Sequence, residues 1–297
     1  MRRPQLTALL VAGVVALVIV AVTLAIQGAL VLGFAVVCAL VGAAVIYLRF
    51  VHLATGHAYR RLEALSLLRG FVRPRLPLPA YTLWAASPEL LLTVVGAIVE
   101  RRAQLVVELG SGASSLWIGY ALEALGEGGR LLALEHDPRY AAATREEVRR
   151  HGLESVVTVV DAPLCSVTVD AERYRFYDVA ALAAIGERSI DVLLIDGPPG
   201  RTQPQARYPA VPLLLGRLAP AAIVILDDAL RRDERRIARR WLRQYPQLTG
   251  RFSQTEKGTL VLRHDADLAN LSAPERISGA RDDGTALAIG VEAEGVH

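Results

Sequence analysis

Two patterns of apolar residues divide the chain. Leu6 to Ile26 is uncharged and almost wholly apolar, and Ala29 to Leu48 is a second such run. Gln27-Gly28 is the polar break between them. Each run has about twenty residues, which at about 1.5 Å of rise per residue spans roughly 30 Å of hydrocarbon. The pattern predicts a helical hairpin that crosses a membrane and returns. Two other readings compete with it. Arg2 and Arg3 could head a cleaved signal peptide, but the first run exceeds the usual apolar segment of about 7–15 residues and a second run follows at once. A hairpin buried in a soluble core is disfavoured because neither run has a polar face.

Positive charge orients the hairpin. Arg2 and Arg3 precede it, while Arg49, Arg60, Arg61, Arg69, Arg73 and Arg75 follow it. The excess of arginine at both flanks places both termini, and everything after residue 48, on the cytoplasmic side of a multi-pass cell-membrane protein. Arg49 to Gly70 predicts a further helix. Leu62, Leu65 and Leu68 share one side of it, against either lipid or protein, and its arginines lie near anionic head groups. Arg73 to Pro79 carries three prolines and reads as a stiff linker.

From Gln104 the pattern changes to short apolar runs alternating with longer amphipathic ones. Leu105–Leu109, Leu131–Glu135, Val156–Val160, Asp191–Ile195 and Ala222–Leu226 read as strands. Ser115–Leu125, Pro138–His151, Tyr208–Leu218 and Leu230–Tyr245 read as helices. Continuous apolar strands alternating with helices predict a parallel sheet buried on both faces. Gly250–Thr255 and Thr259–Arg263 flank Glu256-Lys257-Gly258 and predict an antiparallel hairpin that closes the sheet. The expected fold class is α/β, a Rossmann-like, doubly wound, mostly parallel sheet with a terminal antiparallel hairpin, preceded by two transmembrane helices. The expected organisation is a transmembrane hairpin over 1–48, a juxtamembrane helix and Pro-rich linker over 49–80, a catalytic domain over 81–264 and a loose tail over 265–297.

Composition adds limits. Of 297 residues, 53% are hydrophobic, concentrated in the first fifty, so the average mixes a membrane part with an ordinary globular one. The formal charge of +3 is too small to argue for nucleic acid. Cys38 and Cys165 stand alone, with no zinc-type spacing and no disulfide framework. The arginine-rich stretch Arg231 to Arg240 is interleaved with Asp233, Glu234 and Ile237, and Trp241 follows it. It reads as a solvated amphipathic helix that can face anionic lipid.

Candidate chemistry sits where strands end, because ligands of open α/β sheets bind at the carboxyl edge. The first strand runs into Glu108-Leu109-Gly110-Ser111-Gly112. Two glycines let the chain turn sharply and bring backbone N–H groups to a ligand at the following helix N-terminus. Ser115 stands where a dinucleotide fingerprint would carry its third glycine. Glu135 ends the second strand, where a carboxylate can accept ribose hydroxyls. Asp161 follows the third, where it can accept from an adenine amino group. Each acid taken singly could equally be a helix cap or a strand end.

These residues resemble the class I S-adenosylmethionine-dependent methyltransferases over roughly Leu90 to Arg263. Glu135-His136-Asp137, Asp196-Gly197-Pro198-Pro199-Gly200, Ala206-Arg207-Tyr208-Pro209 and Leu226-Asp227-Asp228 look most like a bacterial O-methyltransferase-like subgroup. The resemblance implies cofactor contacts by Glu108, Gly110, Ser111, Gly112, Glu135, His136, Asp161 and Ala162. It also implies catalytic roles for Asp196 and Asp227. The cofactor implied is S-adenosylmethionine, and the acceptor a small or lipid-linked molecule. Asp196, Asp227 and Asp228 are similar to the metal-binding acids of catechol-type enzymes, so a divalent cation such as magnesium is a candidate cofactor. Here Asp228 replaces an Asn, and Pro199 stands where those enzymes place a basic lysine. Asp227 or Asp228 could instead cap the helix that follows. Arg201 and Arg207 are candidates for an anionic substrate group, or solvated loop residues. Trp84, Tyr174 and Tyr177 could line an acceptor pocket or the core. An NAD-dependent oxidoreductase and a catalytically silent Rossmann-like scaffold are the competing functions.

Overall fold

The computed structural model describes residues 3–26, 30–78, 86–178, 180, 181, 183, 186, 189–253 and 255–265. Two helices open the chain, α1 (Arg3–Ile26) and α2 (Leu30–Phe71). They lie alongside one another. The predicted break at Gln27-Gly28, Trp84 and the tail beyond residue 265 lie outside the described residues. Among the described residues, Val37–Phe71 is one helical stretch long and apolar enough to cross a membrane, and Leu9–Val22 is a shorter apolar stretch. Leu9, Val11, Ile19, Ile46 and Leu48 are exposed.

The helix α2 has 42 residues and runs without interruption through both the second predicted span and the predicted juxtamembrane helix. At about 1.5 Å per residue it is about 60 Å long. Its last turns belong to the globular core. Ala64, Leu68 and Val72 are buried, and Leu68 and Val72 pack with Leu90, Leu91 and Val94 of α3 (Pro88–Arg101). Leu68 therefore packs on protein, while Leu62 stays exposed. The segment after α2 is pinned rather than free. The Arg75 guanidinium donates to the His151 carbonyl (2.8 Å) and to Glu123 (2.7 Å), and its backbone N–H donates to the Tyr120 hydroxyl (3.0 Å).

The sheet begins with β1 (Leu105–Leu109), followed by α4 (Ala113–Leu125), β2 (Arg130–Glu135), α5 (Pro138–Arg150) and β3 (Val157–Asp161). Capping chemistry sets the helix starts. The Ser87 and Asp137 side chains accept from the backbone N–H of Leu90 (3.2 Å) and Arg139 (2.9 Å), and each is followed by proline at the first helical position. The chain then forms β4 (Leu164–Val169), β5 (Glu172–Tyr177), β6 (Ile190–Ile195), α6 (Ala210–Leu214), β7 (Leu218–Leu226), α7 (Arg232–Gln244), β8 (Leu248–Ser253) and β9 (Thr259–His264). The seven-stranded sheet has the order β3-β2-β1-β6-β7-β9-β8. It is parallel from β3 to β7, and β9 pairs antiparallel with both β7 and β8. The doubly wound sheet and its terminal hairpin are thus as the apolar pattern predicts. The direction of winding reverses between β1 and β6, which opens a crevice at their carboxyl ends.

The antiparallel pair β4–β5 has no counterpart among the predicted elements. It occupies the β3-to-β6 crossover and packs Tyr174, Phe176 and Tyr177 on the same face of the sheet as α6 and α7. Arg240 of α7 stacks over the Tyr208 ring at 3.7 Å and reaches Glu172 of the hairpin at 3.0 Å. The buried Trp241 indole donates to the Tyr208 carbonyl (3.0 Å). The arginine-rich helix is therefore amphipathic as expected, with Ile237, Ala238 and Trp241 inward and Arg232, Arg235, Arg239 and Arg243 outward. On the opposite face α3, α4 and α5 cover the sheet together with the end of α2.

Candidate active site

Strand alternation decides which acids enter the crevice. β1 sends Leu105, Val107 and Leu109 to one face and Val106 to the other. Glu108 shares the face of Val106 and so meets the start of α4. It is 1% exposed. Ser115 Oγ donates to Glu108 Oε2 (2.6 Å), and the Ser114 hydroxyl donates to the other oxygen. Burial pushes the Glu108 carboxyl up to about 7, with the Ser114 and Ser115 hydrogen bonds opposing it and the Glu135 charge adding to it.

The turn Gly110-Ser111-Gly112 follows directly. Gly110 has φ 118° and Gly112 φ 149°, backbone that a side chain rarely adopts. Ser111 reaches across to the end of β2, where its hydroxyl donates to Glu135 Oε2 (3.0 Å) and lies 3.1 Å from the Thr144 hydroxyl of α5. Glu135 Oε1 accepts from the backbone N–H of His136 (2.8 Å) and Asp137 (3.0 Å), and His136 Nδ1 lies 2.9 Å from it. Burial pushes Glu135 up, but the His136, Asp137 and Ser111 hydrogen bonds outweigh it and hold the carboxyl below its ordinary range. A fixed carboxylate has lone pairs to spare for ribose hydroxyls.

The adenine-side residues are placed differently. Asp161 is level with Glu135 across the β2–β3 pair. Its side chain is 59% exposed and pairs with Arg145 (2.8 Å), so it sits at the rim. Ala162 is buried, and its N–H donates to the Glu135 carbonyl (2.7 Å).

Asp196 follows β6, and Asp227-Asp228 follows β7. A carboxylate oxygen from each of the three lies within 4.8 Å of the others. Burial, followed by the Asp227 charge, pushes Asp196 well up from its ordinary value. Burial and the Asp228 charge push Asp227 to about 6. Neither Asp227 nor Asp228 is the cap of the next helix, because α7 starts at Arg232 with Arg231 as its N-cap residue. Asp228 adopts φ 60°, a left-handed conformation that Asp and Asn tolerate.

Arg207 fills the centre of this cluster and is 2% exposed. Its Nη2 lies 2.9 Å from Asp228 Oδ2 and 3.4 Å from Asp196 Oδ1, and it also donates to the Asp196 carbonyl. Nη1 donates to the Asp227 carbonyl (2.9 Å), and Nε to the Pro198 carbonyl (3.4 Å). This corrects the expectation that Arg207 anchors substrate or sits in solvent, since its donors are spent inside the protein. Arg201 is exposed. Arg231 pairs with Asp228 from the other side (2.8 Å). The three acids fit a hard cation by type, but two guanidinium groups already bond one Asp228 oxygen, Oδ2.

Tyr174 and Tyr177 are both buried. The Tyr177 hydroxyl lies against Gly197 so closely that this position admits no Cβ. Burial, then the Glu135 charge, pushes the phenol well up, so it stays a neutral hydrogen-bonding group. Ser114, Ser115, Thr144 and the inward turn of Arg207 are site features beyond those expected from the sequence. A serine pair three and four residues beyond Ser111 is the available signal for the first two.

Residues 107–229 match the family model described as a methyltransferase domain. A catechol O-methyltransferase from Niastella koreensis is 27% identical over 132 residues, which are 44% of this chain and 51% of that protein. The chain thus spans about half the length of this curated relative. Among solved structures, the O-methyltransferase from Bacillus cereus in complex with SAH has 19% identity and a TM-score of 0.48, covering 68% of this chain and 89% of that one. The O-methyltransferase TomG from Streptomyces achromogenes in complex with SAM has 17% identity and a TM-score of 0.48, covering 71% of this chain and 96% of that one.

Glu108 gives a pH test of the site. Its folded-state value is raised above the ordinary 4.5, so the neutral form favours folding. That contribution is complete below about pH 4.5 and is lost as pH rises through about 7. Thermal melts of the ligand-free protein between pH 4 and 8 should show wild type losing stability relative to Glu108→Gln. The loss should be on the order of 3 kcal/mol, since each pKa unit corresponds to about 1.4 kcal/mol. Parallel pH curves for the two proteins would contradict a Glu108 carboxyl whose burial outweighs its two serine hydrogen bonds.

Proposed function

We propose that the chain is a membrane-anchored S-adenosylmethionine-dependent methyltransferase that methylates an oxygen of a small or lipid-linked acceptor. One observation carries the reading. Glu108, Glu135, Asp161, Asp196 and Asp227 stand at the ends of five adjacent strands along one edge of the sheet, around a glycine turn at a helix N-terminus. The methyltransferase-domain match over 107–229 supports the same chemistry. The NAD reading lacks the third glycine, which Ser115 replaces while binding Glu108.

S-adenosylmethionine supplies a methyl group already activated on a sulfonium. Glu108 and the Gly110–Gly112 turn hold the methionine part. Glu135, fixed by Ser111 and His136, accepts the ribose hydroxyls. Asp161 and Ala162 border the adenine. Asp196 faces the crevice beside Gly110, where an added Cβ would lie 3.9 Å from the Asp196 Cβ. It accepts the proton of the acceptor hydroxyl as the oxygen takes the methyl group and the sulfonium becomes a neutral thioether. Burial and the Asp227 charge raise its proton affinity above that of an ordinary carboxylate, which favours proton acceptance once it is ionised. No divalent cation enters this scheme, because Arg207 and Arg231 already pair with two of the three acids that would bind it, Asp196 and Asp228.

The anchor follows from the exposed apolar surfaces of α1 and α2 and from arginine at both flanks. Membrane lipid is therefore a partner, and the domain faces the cytoplasm. A lipid-linked acceptor is consistent with a site mounted on a helix that enters the bilayer.

Two measurements test the proposal. Glu135→Ala in the full chain should weaken S-adenosylmethionine binding by about 1.5–3 kcal/mol, as for a charge-assisted hydrogen bond, and calorimetry would detect it. Unchanged affinity in the folded variant would remove Glu135 from the cofactor site. A reporter fused after His297 should be active only in the cytoplasm. Activity on the opposite side, or cleavage of the mature chain near Gly28, would overturn the hairpin topology.

A further inference from the structure

The acidic pocket at the ends of β6 and β7 has the donor set of a hard-cation site, yet two of its three acids are already paired from within. Arg207 pairs with Asp196 and Asp228, Arg231 pairs with Asp228, and Asp227 has the Arg207 guanidinium at its backbone carbonyl. A divalent ion would have to share Asp196 and Asp228 with guanidinium groups already bonded to them. Arg207 Nη2 stands 2.9 Å from Asp228 and 3.4 Å from Asp196, so it bridges two of the three acids. The guanidinium cannot swing out cheaply. It is buried and also holds the carbonyls of Asp196, Asp227 and Pro198. Removing it would leave three carbonyl oxygens short of a donor and Asp196 without its ion pair, which is costly in a buried site.

We infer that Arg207 is a built-in substitute for the divalent cation, a positioning residue that clamps the ends of β6 and β7 and excludes metal from the site. The ends of the two strands are then fixed by five donor–acceptor contacts to one side chain rather than by an exchangeable ion. Asp196 is thereby held in its place beside Gly110. Planar guanidinium geometry is what allows one residue to reach two carboxylates and three carbonyls at once.

The inference concerns the metal and stands apart from the methyl-transfer reading, so its test uses no activity. Manganese alone is titrated into the purified full chain in detergent, and bound ion is followed by electron paramagnetic resonance. Wild type should hold no manganese that Asp196→Asn abolishes. Arg207→Gln should gain one ion per chain, bound at least about tenfold more tightly than by wild type, because the freed carboxylates become oxygen ligands. Adding Asp196→Asn to Arg207→Gln should remove that ion. A manganese ion held by wild type and lost in Asp196→Asn would overturn the inference, and this comparison needs no variant at Arg207. A folded Arg207→Gln that takes up no manganese would overturn it too. Failure of S-adenosylmethionine to bind in a separate experiment would remove the proposed function and leave this result untouched.

Discussion

Burying carboxylates in a row is the constraint on which the rest of the molecule depends. An ionised carboxylate taken out of water is costly unless hydrogen bonds or opposite charge compensate it. The edge of this sheet carries such groups at the end of nearly every parallel strand, and each is compensated by a different local device. Glu108 has two serine hydroxyls from the first turn of α4. Glu135 has backbone N–H groups, Ser111 and His136. Asp196 and Asp228 have Arg207. The gradation matters for function. Glu135 is held below its ordinary proton affinity and Asp196 is pushed well above its own, a contrast that the proposed roles of ribose acceptor and proton acceptor draw on.

Much of this is legible in the chain. The five parallel strands and the terminal hairpin follow from apolar runs bounded by Gly, Asp and Glu, because a strand buried on both faces leaves little room for polar residues within it. The acids at strand ends are legible for the same reason. The β4–β5 hairpin is not. Its turn, Asp170-Ala171, has φ 51° and 63° without the Asn-Gly or Asp-Gly signal that such a turn normally carries. Its strands Leu164–Val169 and Glu172–Tyr177 also mix exposed polar and buried aromatic positions. Arg207 defeats a reading from sequence because an arginine in a polar loop is usually solvated. Only the fold shows that three carbonyls and two acids converge on it.

The junction between anchor and domain also differs from a simple tether. A proline-rich segment suggests a spacer, yet α2 is continuous across the expected boundary at residue 48 and ends in the core through Leu68, with Val72 just beyond it. Arg61 of α2 pairs with Glu256 in the β8–β9 turn, and Arg75 is bonded to α4 and to the end of α5. Continuous helix with buried terminal turns transmits orientation, whereas a flexible linker does not. In the proposed membrane setting the crevice would keep a defined attitude to the bilayer.

The central claim is that the strand-end acids form an S-adenosylmethionine site. Equilibrium dialysis of the purified full chain with labelled S-adenosylmethionine and, in parallel, labelled NAD tests it most directly. The account predicts one S-adenosylmethionine bound per chain, displaced by S-adenosylhomocysteine and indifferent to NAD. Binding of NAD in its place, or of neither molecule, would contradict it.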